Sequence, residues 1–116
     1  MNVKSFVAEL SKFPDSYNVV FSDPFNNLFF DGDYSVEDFD GLVDIGVGGT
    51  VEGDNLQYVD KTTVGKLINK LSEFPDNAFV VITDGHNLKF YRGKYHISEF
   101  EGVVDVGIGG TLENDF

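Results

Sequence analysis

Apolar residues fall in two rhythms along this chain. Val3, Phe6, Val7, Leu10 and Phe13 recur at helical spacing, and so do Val64, Leu67, Ile68, Leu71 and Phe74. Each set draws one apolar stripe, which predicts two amphipathic helices. Asn2 and Thr63 stand where an N-cap belongs. Pro14 and Pro75 are placed to end the helices, because the residue before a proline is pushed out of helical space. The rhythm then shortens to that of strands. Tyr17–Ser22 and Ala78–Thr83 predict one central strand each, followed by turns at Asp23-Pro24 and Asp84-Gly85. Shorter extended pieces follow at Asn27–Phe30 and Leu88–Arg92, then at Tyr34–Val36 and Tyr95–Ile97, with Gly32 and Gly93 as the turns between them. SVEDF and ISEFE are read as closing in short helical turns. A last strand alternates Val43, Ile45 and Val47 with Asp44, Gly46 and Gly48.

The two series are the same series. Shifted by 61 positions, residues 2–55 match residues 63–116 without a gap at 23 of 54 positions. Leu10, Ser11, Phe13, Pro14 and Asp15 return as Leu71, Ser72, Phe74, Pro75 and Asp76, and the phrase VDIGVGGT returns as VDVGIGGT. We read this as a duplication of one mini-domain about a pseudo-twofold axis. The expected fold is α+β: two tandem α-β-β-(β)-β units, each with an antiparallel sheet and one amphipathic helix. The units are 1–55 and 63–116, joined by a linker at 56–62 and packed together as one compact domain. The glycine phrase lacks the lysine and following helix of a phosphate loop. Its expected role is close packing, with the two phrases meeting near the axis or an aromatic ring lying on each.

Charge sharpens the functional picture. Twenty acids against eight bases leave a net charge of −12, which disfavours nucleic-acid backbones and anionic membranes as direct partners. Without cysteine there is neither a disulfide nor a thiolate site. No apolar run is long enough to span a membrane. The acidity is uneven: residues 1–58 carry eleven acids and two bases, residues 59–116 nine and six. The sharpest contrast sets DGDYSVEDFDG at 31–41 against RGKYHISEFEG at 92–102. Asp31, Asp33, Glu37, Asp38 and Asp40 are therefore the candidate contact face for a basic protein. The opposite charges of Asp31 and Arg92, and of Asp33 and Lys94, offer a second use, in pairing across the axis or between subunits. Calcium binding is disfavoured, because a loop counted from Asp31 places Val36 and Leu42 where glycine and glutamate are needed.

Enzymatic chemistry finds no scaffold. His86 sits in a turn and His96 in an exposed-looking strand, neither within a nucleophile or metal motif. Asp44 and Asp105 are acids inside apolar strands of both copies, for which a structural role is expected. The expectation is a non-enzymatic protein with no cofactor and no metal.

The stretch TTVGKLINKLSEFPDNAFVVITDG, residues 62–85, resembles small bacteriophage accessory proteins of Gram-positive hosts, with their amphipathic helix, FPDNA corner and strand. No functional residues come with that resemblance. It implies work in the host cytoplasm and, with the acidity, an inhibitor of a host nucleic-acid-processing or defence protein. In the style of anti-CRISPR proteins, carboxylates would stand in for phosphates. The rival expectation is an assembly module whose duplicated unit drives homo-oligomer formation.

Overall fold

A computed structural model of the protein describes residues 1–23, 28–30, 34–47, 50–51, 62–84, 89–91, 95–100, 102–108 and 111–112. The first segment forms α1 (Val3–Leu10), β1 (Asn18–Asp23), β2 (Leu28–Phe30), β3 (Tyr34–Phe39), β4 (Leu42–Val47) and β5 (Thr50–Val51). The second forms α2 (Val64–Leu71), β6 (Val80–Asp84), β7 (Lys89–Tyr91), β8 (His96–Phe100), β9 (Val103–Gly107) and β10 (Thr111–Leu112). The class is α+β. The predicted turns at Gly32 and Gly93, and the linker 56–62 apart from Thr62, lie outside the described residues.

Both helices start where expected. The Asn2 side chain accepts from Ser5 N–H at 2.9 Å and Thr63 Oγ1 from Lys66 N–H at 3.3 Å, each satisfying one orphan donor of a first turn. Further donors find partners in the other half. Val3 and Lys4 N–H donate to Ala78 and Asp76 carbonyls at 2.9 and 3.0 Å, while Val64 and Gly65 N–H donate to Tyr17 and Asp15 at 2.9 and 3.0 Å. The repeated Phe-Pro-Asp corner thus seats the helix start of the opposite half. Each helix ends at Leu10 or Leu71, and Phe13 and Phe74 pack on the core from beyond it.

The sheets are mixed, not purely antiparallel. One runs β5-β2-β1-β9-β8 and the other β10-β7-β6-β4-β3, so each takes strands from both segments. The central pairs β1–β9 and β4–β6 are parallel; all other pairs are antiparallel. A parallel pair needs a crossover, and the connection from β4 to β6 supplies one that contains α2. β4 and β9, which carry Gly46 and Gly107, therefore do not pair: β4 lies in one sheet and β9 in the other, while Gly48, Gly49, Gly109 and Gly110 lie outside the described residues.

The helical turn expected at SVEDF is a strand instead, and so is ISEF of ISEFE, whose Glu101 lies outside the described residues. β3 pairs with β4 along its whole length, closing with Phe39 opposite Leu42. Asp40 and Gly41 both hold positive φ, 55° and 86°, as a two-residue hairpin loop requires. The Asp-Gly pair was the hairpin signal.

One face of each sheet and the apolar stripes of both helices form a single core that includes Phe6, Phe21, Phe30, Ile45, Leu71 and Ile82. Two tyrosines tie the sheets together. Tyr34 of β3 stacks at a tilt on Phe21 of β1, with ring centroids 5.3 Å apart, and its hydroxyl donates to the Phe30 carbonyl. Tyr95, just before β8, donates to the Val80 carbonyl of β6 at 3.2 Å and meets Phe6 edge-on.

Candidate functional site

Paired residues share a face, so the register sets out the side of the β3–β4–β6 array turned away from the core. Three rows cross it: Ser35, Gly46 and Thr83; then Glu37, Asp44 and Val81; then Phe39 and Leu42, with Phe79 just before β6. Phe39 and Phe79 are 51% and 54% exposed, the large apolar side chains left open among the described residues. Glu37 and Asp38 are exposed on the outermost strand, and Asp40 is exposed in the hairpin loop. Asp38 also accepts from Gly41 N–H at 3.3 Å, which holds its carboxylate over the turn.

Of the five predicted contact acids, Glu37, Asp38 and Asp40 come together along this edge. Asp31 and Asp33 lie outside the described residues, as do Arg92, Lys94 and His86. The ion pair formed by described residues, Lys12 with Glu9 at 3.1 Å, joins the last turn of α1 to the residues just after it. The exposure of Phe79 does not follow from its place in the predicted strand Ala78–Thr83. A signal was present: Phe79 aligns with Asn18 at the 61-residue offset, so one copy carries a large apolar group where the other carries an amide.

The described glycines of the phrase serve the close packing expected of them, and the element that approaches is an edge strand. A Cβ on Gly46 would stand 2.6 Å from Ser35 Oγ, and one on Gly107 would stand 3.3 Å from the His96 carbonyl. Neither contact is an aromatic ring; the glycines make room for the neighbouring edge strand.

Asp44 and Asp105 are half-buried in β4 and β9, and burial acts on the carboxyl of each. Thr83 Oγ1 donates to Asp44 Oδ1 at 2.9 Å. Burial pushes the Asp44 carboxyl above its ordinary value, the Thr83 bond opposes this, and nearby Glu37 adds to it. Burial likewise raises Asp105, opposed by a bond from Ser22 and by the imidazole of His96. Asp105 Oδ1 is buried with no hydrogen-bond partner among the described residues.

A raised folded value means that the folded chain holds these protons to higher pH than the unfolded chain does. Their contribution to stability is therefore greatest below the ordinary carboxyl range. It falls as pH rises from there through the raised folded values. Asp105→Asn should accordingly raise the urea midpoint at neutral pH. Partial exposure of the group limits the gain to less than about 1 kcal/mol. The advantage over wild type should vanish in acid, and paired urea titrations at neutral and acid pH measure it.

Among the described residues, His, Asp and Glu do not gather in threes that would hold a metal ion, and no helix is long and apolar enough to cross a membrane. Compared with known proteins, the chain matches no family model, no curated protein and no solved structure.

Proposed function

We propose that this is a non-enzymatic acidic binding protein that docks a basic protein surface on the β3–β4–β6 face. One observation carries the reading: two half-exposed phenylalanines sit in line, beside three exposed carboxylates on the same sheet edge. Aromatic anchors at the centre of an interface supply much of its energy. A charged rim steers encounter and selects partners of opposite sign.

The resemblance of residues 62–85 and the net charge of −12 support a finer version. In it the chain is phage-encoded, works in the host cytoplasm, and inhibits a host nucleic-acid-processing or defence protein by occupying its phosphate-binding surface. The acidity of the whole chain works against the rival, self-association through this face.

The test is a pull-down from a Gram-positive host lysate at low salt, eluted with rising salt. The expected result is a basic host protein released steeply with salt. The triple variant Glu37→Lys, Asp38→Lys, Asp40→Lys should lose that protein while keeping its fold by circular dichroism. Equal recovery by the triple variant would refute the assignment. Recovery of the bait alone, as a defined oligomer, would favour the assembly module.

A further inference from the structure

A second feature lies round the edge of the same sheet. A groove of about 680 Å³ opens between β3 and α2. One wall is the edge strand, through Tyr34, Ser35, Val36 and Glu37; the other is an exposed stripe of α2 carrying Lys66, Asn69 and Lys70. Leu67 and Val36 supply the apolar floor, and the volume is that of an ordinary ligand site.

β3 ends the strand order of its sheet, so one side of its backbone has no strand partner among the described residues. All six of its residues are in register with β4, with no bulge and no proline to blunt the edge. Such an edge is a template for an added strand. The walls say what kind. Lys66 and Lys70 lie one turn apart on the same side of α2, both exposed, and neither joins an ion pair among the described residues. In a chain of net charge −12 these two lysines, with Glu37 and Glu73 on the same lining, leave the groove balanced in charge, with its positive side on α2. The lysine pair is also peculiar to one half. The counterparts of Lys66 and Lys70 at the 61-residue offset are Ser5 and Glu9, and Glu9 is paired with Lys12. Glu37 and Glu73 also line the groove and oppose further acid there, which restricts a carboxylate to the lysines.

We propose that this groove binds an extended acidic segment of another protein as an added strand. The backbone of that segment pairs with β3, and one carboxylate sits between Lys66 and Lys70. The inference does not depend on the docking face proposed above. A second copy of this chain is the poorer occupant, because each copy brings its own large negative charge.

The probe is a blocked nine-residue peptide of alternating Thr and Val with a single central Glu, set against the same peptide with central Lys. Each is titrated into the ¹⁵N-labelled protein. Binding of the Glu peptide should shift the amides of residues 34–39 and be about tenfold tighter than binding of the Lys peptide. The variant Lys66→Ser, Lys70→Glu takes its new residues from the equivalent positions of α1. It should abolish the preference and leave the urea unfolding curve in place. Several results would overturn the proposal: silent β3 amides with both peptides, equal affinities, or a preference that survives in the variant. So would β3 shifts that depend on protein concentration without peptide, which would assign the edge to a second copy.

Discussion

Phe21→Ala should cost about 3–5 kcal/mol of folding free energy, the scale for truncating a fully buried phenylalanine. Phe21 is 0% exposed and belongs to the core shared by both sheets and both helices. It also carries the ring contact to Tyr34, which reaches across from the other sheet. Truncation therefore leaves a cavity and unseats the side chain that bridges the layers. A domain of this size is ordinarily stable by about 5–15 kcal/mol, so the variant should be marginal. Urea unfolding followed by circular dichroism measures the loss. Phe29 makes the comparison: it lies on the other face of the same sheet, only partly buried beside Val20 and Val103. Phe29→Ala should cost clearly less. If the two losses were equal, the assignment of the core to a single shared face would be wrong.

Phe79→Asn should carry the largest effect on binding. Asparagine is the residue at the equivalent position of the first segment, Asn18, so the backbone there already accommodates it. The Phe79 carbonyl accepts from Val43 N–H at 2.8 Å, and that bond is independent of the side chain. Stability should change by less than about 0.5 kcal/mol, as for an exposed position. Partner affinity should fall by about 2 kcal/mol or more, roughly thirtyfold, if the ring is an interface anchor. Affinity measured by calorimetry, beside a thermal melt, separates the two effects. Salt dependence adds a signature. Phe79→Asn should weaken binding without flattening its salt response, whereas reversing Glu37, Asp38 and Asp40 should change that response. Unchanged affinity in Phe79→Asn would remove the apolar centre from the docking face and leave only its acidic rim.

Local and periodic features were legible from the residues alone. The helix stripes, the caps at Asn2 and Thr63, and the alternation around Asp44 and Asp105 each rest on a few adjacent positions, and the α+β class follows from them. The hairpin at Asp40-Gly41 is legible as well, because its Asp-Gly turn chemistry outweighs the helical turn that SVEDF alone suggests. The acidic contrast between the segments pointed to Glu37, Asp38 and Asp40 because charge can be read residue by residue.

Strand partnership was a different matter. Backbone hydrogen bonds are chemically alike in every strand, so nothing in VDIGVGGT says that it lies parallel to β6 of the other segment. Only the tertiary structure placed β4 and β9 in separate sheets, and with that the reason for Gly46: a neighbouring strand whose Ser35 fills the space of a side chain. The exposure of Phe39 and Phe79 and the groove between β3 and α2 were hidden for the same reason, since both arise where separate elements meet. The sequence determined which elements form and where charge lies along them; the packing of distant segments decided which faces are covered, because burial belongs to neighbours that the chain order does not name.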